Sequence, residues 1–389
     1  MRATALTLLI ATAQSLHGQV QPTNWALDRQ ARIGSVNDPA QALTWVSQVL
    51  IGPDNLIYIS QPQDHTVRVF DLTGRPVRTI GGRGQGPGEF ERLETIGFRG
   101  DTLYAADGAL HRVSYFAPDG SFVRSFRMVS PLLGAAPPNI YFPTAPQVVL
   151  ADGTALLTPD APVALIASGT GKAPYVRIDR QSQVVDTIAW RQLPTITFET
   201  VNGGERFYAP RPFRQDPLYQ LMPDGSGLVV VDRPTATSGT RQAEYRVTKI
   251  SPTGDTLFAR AYTYAPVPLT STNLSQALSA VRLRFANRPD PPSLREIEQS
   301  LRSQHLVPDN MAPITHLAAG LDGSIWLGRG HETPDRQTWL ILASDGSVVA
   351  TTSLPATETV MTARGNLLVA LELDSMDVPY VVVYRIMRR

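Results

Sequence analysis

The sequence predicts an all-β chain folded as a six-bladed β-propeller. The first observation is a repeat. Asn55-Leu-Ile-Tyr-Ile-Ser and His65-Thr-Val-Arg-Val-Phe-Asp-Leu-Thr-Gly74 return as Gly100-Asp-Thr-Leu-Tyr-Ala-Ala-Asp and His111-Arg-Val-Ser-Tyr-Phe-Ala-Pro-Asp-Gly120. His65 and His111 each lie nine residues before their turn glycine, and Phe70 and Phe116 each lie four before it. A unit of about 45 residues containing several short strands is the pattern of propeller blades. The second observation is punctuation: short apolar runs separated by Asp-Gly and Thr-Gly turns continue to the C-terminus. The third is a deficit of one strand at the end, matched by an orphan strand at the start.

Taken in order, Leu27 to Val36 alternates as a half-buried strand does but precedes the first complete repeat. Blade one reads as Val46–Ile51, Leu56–Ser60, Thr66–Asp71 and Pro76–Ile80, and blade two repeats it with turns at Gly100 and Asp119-Gly120. Blade three carries Val148–Leu150, Tyr175–Asp179 and Val184–Trp190 around the turn Asp152-Gly153. Blade four carries Leu218–Met222, Leu228–Asp232, Tyr245–Ile250 and Thr256–Tyr262, and blade five Ile314–Ala318, Ile325–Gly328, Thr338–Leu342 and Val348–Leu354. Blade six has Thr359–Thr362, Leu367–Leu373 and Tyr380–Ile386, one strand short. Pairing Leu27–Val36 with Tyr380–Ile386 would close the ring and remove an exposed sheet edge. One insertion, at about 270–305 between blades four and five, is helical. Leu274, Leu278, Val281 and Phe285 share one helix face, and Ser293-Leu-Arg-Glu296 is a capping-box pattern opening a second helix. The pair is expected to cap the ring, with a lid over a site as the alternative.

Composition narrows the function. The chain has 389 residues, 42% apolar and 18% charged, with 29 Gly and 32 Pro as expected where turns separate many short strands. A net charge of +1 supplies no field for nucleic acid. The only lysines are Lys172 and Lys249, which reads as a coding bias, or as the sign of an Arg-lined anion site. Absence of cysteine excludes disulfides, thiolate metal sites and Cys nucleophiles. Met1-Arg2 followed by the apolar run Ala3–Ala13 and small residues reads as a secretory signal over residues 1–19. Residues 20–389 then form one propeller domain. The expected location is secreted or periplasmic, with no membrane insertion after signal cleavage, and the expected state is a monomer.

The stretch Thr79-Ile-Gly-Gly-Arg-Gly-Gln-Gly-Pro-Gly-Glu-Phe90 sits between the two clearest repeats. With its flanks, from about Ile51 to Phe126, it resembles tandem NHL repeats, in which a Gly-rich segment ending Gly-x-Phe leads into the next blade. It also looks like uncharacterised bacterial secreted six-bladed propellers of the TolB-like group, as does Leu321-Asp-Gly-Ser-Ile-Trp-Leu. The specific match covers roughly a fifth of the chain. The resemblance implies the fold and no agreed activity.

Strand parity sorts the loops. Links between blades and second-to-third-strand loops emerge on one face, and they hold nearly every insertion, including Gly81–Arg92, Arg191–Asp216, Arg233–Ala243 and Ala265–Pro313. Function collects where loops vary on a rigid scaffold. Arg206-Phe-Tyr-Ala-Pro-Arg-Pro-Phe-Arg214 mixes three arginines with three aromatics. With Arg83 it nominates Arg83, Arg206, Tyr208, Arg211 and Arg214 as a ligand set, because forked guanidinium groups grip carboxylates and phosphates. The competing reading is a solvated loop pinned by its aromatics. His65 and His111 recur at one repeat position, which favours loop anchoring over catalysis. His331, Glu332 and Asp335 lack the fixed spacing of metal ligands. The sequence contains no Gly-x-Ser-x-Gly elbow, Walker loop or His-Glu-x-x-His, and no catalytic set, metal or cofactor is assigned. The leading expectation is a non-enzymatic propeller that binds a small anionic ligand or an envelope protein on its loop-rich face. The alternative, as in some six-bladed relatives, is a metal-dependent hydrolase or lyase at the central channel. Gln48 and His316 are the inner-strand candidates for that role.

Overall fold

Alternation of apolar and polar side chains builds the blades. In the strand Thr66–Phe70, Val67 and Val69 are buried, while Arg68 between them donates from Nη1 to the Ala42 carbonyl at 2.6 Å. The computed structural model describes residues 22–128, 145–158, 172–192, 197–330 and 335–388. These residues form a six-bladed propeller; in blades one to four the four strands follow one another across the sheet in sequence order, while blades five and six also take in strands from the N-terminal segment. Blade one comprises Gln48–Ile51, Ile57–Gln61, Thr66–Phe70 and Pro76–Gly81. Blade two comprises Leu93–Arg99, Thr102–Asp107, Arg112–Phe116 and Phe122–Arg127. Blade three adds a short second strand, Ala155–Leu157, to the three expected. Blade four runs from Leu218–Leu221 to Thr256–Tyr264, and blade five from Ile314–Ala319 to Val348–Pro355. The segment proposed as a signal, His331, Glu332 and most of the loops 128–147 and 159–174 lie outside the described residues.

Ring closure follows the strand count. Ala26–Ile33 lies antiparallel to Pro379–Met387 as the outermost strand of blade six, from Ala26 opposite Met387 to Ile33 opposite Val381. A second element was not legible in the sequence: Thr23–Asn24 pairs parallel with Val348–Pro355 and becomes a fifth strand of blade five. One N-terminal segment therefore holds two blades. Trp25, between the two pairings, packs 6.3 Å from the Trp326 ring.

The turns follow local chemistry. Asp119, Asp152, Asp224, Asp322 and Asp345 each precede a glycine, and each accepts the backbone N–H two residues on. The Ser or Thr hydroxyl at that later position donates to the same oxygen. His65 and His111 both adopt left-handed backbone (φ 57° and 49°), which His tolerates better than most residues. His65 N–H closes onto Pro62 O, and Met128 N–H onto His111 O. Their backbones anchor the loops between the second and third strands. The Gly-rich segment wraps around Phe90, which is fully buried, and a Cβ on Gly81 would collide with that ring.

The helical insertion corrects an expectation. Helix α1 (Ser271–Leu283) and helix α2 (Leu294–Ser303) form, each with a capping box, at Thr270/Asn273 and Ser293/Glu296. Their apolar stripes do not rest on the blades. Leu278, Val281, Phe285, Ile297 and Leu301 pack with Phe198, Phe207 and Ala209. Those three belong to a hairpin, Thr197–Asn202 and Glu205–Pro210, where the sequence reading placed a loop. The hairpin alternates polar Glu199 and Tyr208 with buried Phe198 and Phe207, and its turn Gly203-Gly204 has positive φ at both glycines, as a two-residue hairpin requires.

Candidate functional site

The link into blade four and the link into blade five meet on the face that carries the insertions. After the hairpin, Arg211 to Pro217 leads into the inner strand Leu218–Leu221. Pro308 to Ala312 leads into Ile314–Ala319. Between them opens a cleft of about 360 Å³, lined on its polar side by Arg211, Arg214, Arg233 and Thr315 and on its apolar side by Leu218 and Met311. Asn310, beside the cleft, is buried and donates to the Ala236 carbonyl at 2.8 Å, fixing this link to the loop 233–243.

Arg233 is the best-defined group. It is 6% exposed. Its Nε donates to the Asp216 carbonyl at 2.8 Å and its Nη1 to the Ile314 carbonyl at 2.5 Å, so it bridges the two blades. Burial pushes its pKa down to about 10, a value at which the guanidinium stays charged at neutral pH. Among the described residues it forms no salt bridge. Buried charges usually have a counter-charge, because backbone dipoles offset only part of the desolvation cost. Arg214 pairs with the Asp216 carboxylate at 2.9 Å. Three arginines thus line the cleft, and one of them, Arg214, is paired with Asp216.

The five nominated residues divide. Arg211 and Arg214 line the cleft. Arg206 and Tyr208 sit on the hairpin, where Glu199 takes both, at 3.6 Å from Arg206 and by a 3.0 Å hydrogen bond from Tyr208. Arg83 lies in the link between blades one and two, bridged to Phe90, and is not among the cleft residues. The run Arg206–Arg214 splits because hairpin alternation turns Phe207 inward and its neighbours outward; only after Pro210 does the chain reach the ring. Arg233 was missed. The available signal was its place as the first residue of a second-to-third-strand loop on the insertion-rich face. His316 Nδ1 lies 3.0 Å from both Thr315 Oγ1 and Gln337 Nε2 within its own blade. Among the described residues no group of three or more His, Cys, Asp or Glu is placed to hold a metal ion.

Comparison with known proteins agrees with the architecture. The family model DUF5128, described as a 6-bladed beta-propeller, matches residues 42–128. A member of the DUF4221 family from Bacteroides vulgatus is similar in structure at 11% identity, with a TM-score of 0.50 and coverage of 95% of this chain and 99% of that one. Virginiamycin B lyase from Staphylococcus aureus is similar at 9% identity and a TM-score of 0.39, covering 93% and 99%. A gluconolactonase from Xanthomonas campestris is similar at 12% identity and a TM-score of 0.40, covering 94% and 97%. At such identities the likeness is one of fold. No curated protein matches the sequence significantly. The chain is a six-bladed β-propeller whose loop-rich face carries an arginine-lined cleft.

Proposed function

We propose that this is an exported, non-enzymatic propeller that binds a small carboxylate- or phosphate-bearing ligand in the cleft between blades four and five. The observation that carries the reading is Arg233, a buried cation held by backbone carbonyls and joined at the cleft by Arg211 and Arg214. Asp216 is one carboxylate against three cleft arginines, and a bound anion would add a second counter-charge through charge-assisted, forked hydrogen bonds, which are about twice as strong as neutral ones. The cleft volume lies at the small end of ligand sites, suited to a compact molecule rather than a polypeptide segment. Export rests on the positive start, the apolar run Ala3–Ala13 and the small residues after it. Among the described residues no helix is long and apolar enough to cross a membrane.

A melting-temperature screen of the purified protein against inorganic phosphate, succinate and citrate, with chloride at matched ionic strength as control, tests the binding reading. Specific stabilisation by at least one of the three anions is expected. Equal response to all salts would remove it. N-terminal sequencing of protein recovered from the periplasm and medium tests export, and an intact Met1 in the cytosol would overturn it.

A further inference from the structure

A second cavity of about 360 Å³ lies on the axis of the ring, where the inner strands of blades one to four converge, and shares no lining residue with the arginine cleft. Leu218 of that strand lines the cleft, whereas Tyr219, Gln220 and Leu221 line the axial cavity. Four blades contribute to it: Gln48 from blade one, Glu94 and Thr95 from blade two, Gln147 from the approach to blade three, and Gln220 from blade four.

The hydrogen-bonding inventory of this cavity differs from that of the cleft. Gln48 Oε1 accepts the Ile96 N–H at 2.8 Å, which fixes the amide and leaves both Nε2 donors toward the cavity. Gln220 Nε2 donates to the Leu221 carbonyl at 2.8 Å, leaving its Oε1 as an acceptor. The Gln147 side chain makes no hydrogen bond among the described residues, so its amide offers both functions. Glu94 carries the cavity's one carboxylate, and that charge is already met by Arg92 at 2.8 Å and by the Ala145 N–H at 3.2 Å. Tyr175 and Tyr219, stacked with ring centroids 5.7 Å apart, close one wall.

We infer that this cavity is a separate binding site for an uncharged, polyhydroxylated ligand of the size of a mono- or disaccharide. Hydroxyl groups both donate and accept, and fixed amides that present donors on one side and acceptors on another match them. An ion gains little here, because the single charge of the wall is internally neutralised. The site is independent of the anion cleft, since different side chains of blade four serve the two.

The test is saturation-transfer NMR and calorimetry on the full chain with glucose, galactose, mannose and trehalose at up to about 10 mM, the weak end of specific small-molecule affinity. At least one sugar should bind. Gln147→Leu and Gln220→Leu should each weaken it by about tenfold, the scale of one lost hydrogen bond, with an unchanged melting temperature. Arg211→Glu with Arg214→Glu should leave sugar binding intact. No binding by any of the four sugars to the folded protein would overturn the proposal. So would binding that survives both glutamine variants or is lost with the arginines.

Discussion

The Thr352 hydroxyl donates to the backbone carbonyl of Trp25 at 2.9 Å, buried, across 327 positions of sequence. Trp25 N–H in turn donates to the Thr351 carbonyl at 2.8 Å. The N-terminal segment is thus bonded to blade five immediately before it becomes the outer strand of blade six. Closure of the ring and attachment of its last two blades depend on the same segment, Thr23 to Ile33.

Thr352→Val, which removes the hydroxyl and leaves a buried carbonyl unsatisfied, should lower stability by about 1–3 kcal/mol in denaturant titration. Deleting residues 20 to 40 should have a larger effect. The apolar edge of Pro379–Met387 would be left open, and calorimetry should show loss of a single cooperative transition. A truncated protein with the parental melting temperature would refute the closure model.

The hairpin and helices form their own small core around Phe207, whose ring meets Phe285 edge-on at 5.4 Å. Leu278→Ala with Phe285→Ala should release α1 and α2 from the hairpin, each truncation costing about 2–5 kcal/mol locally. Hydrogen exchange should then accelerate over 197–210 and 271–303 while blades one, two and six stay protected. Uniform acceleration across the ring would mean that the insertion supports the propeller itself.

Carboxylates of two kinds set opposite pH dependences. The Ser121 hydroxyl and backbone N–H hold the Asp119 carboxyl below the usual carboxylate range, and Ser347 does the same for Asp345. Groups lowered in the folded state contribute stability that is present above their unfolded pKa and is lost as pH falls through the folded value. Glu358 is the reverse case. Burial raises its pKa, although the Tyr384 hydroxyl donates to both its oxygens at 2.8–2.9 Å. The folded state then holds a proton more tightly than the unfolded one, so stability falls as pH rises above the ordinary glutamate range. Glu358→Gln, which retains an acceptor for Tyr384, should raise the melting temperature at pH 8 and leave it unchanged at pH 4. A rise of equal size at both would show that the effect is not titration.

The six-bladed ring and its closure were legible because they rest on local signals: alternation, Asp-Gly turns and a strand count. The capping box at Ser293 was legible for the same reason. The partner of the helices was not. Phe198 and Phe207 sit in a weakly alternating stretch about 80 residues before Phe285, and nothing local joins them. Arg233 escaped notice because a single arginine after a strand carries no pattern; its significance lies in the two carbonyls that hold it, one of them 81 positions away. Arg206 and Tyr208 were grouped with Arg211 and Arg214 by proximity in sequence, whereas the hairpin directs them to Glu199. The parallel pairing of Thr23–Asn24 is two residues long, below what any periodicity can register.

The cleft is tested most directly by calorimetric titration of phosphate and citrate into the wild-type protein and into Arg211→Glu with Arg214→Glu. Both substitutions lie in a link rather than a blade, and Arg233, which bridges blades four and five, is left in place. The account predicts measurable binding to the wild type, none to the double variant, and melting temperatures within a few degrees of each other. Equal binding by the two proteins, or a double variant that no longer folds, would contradict it.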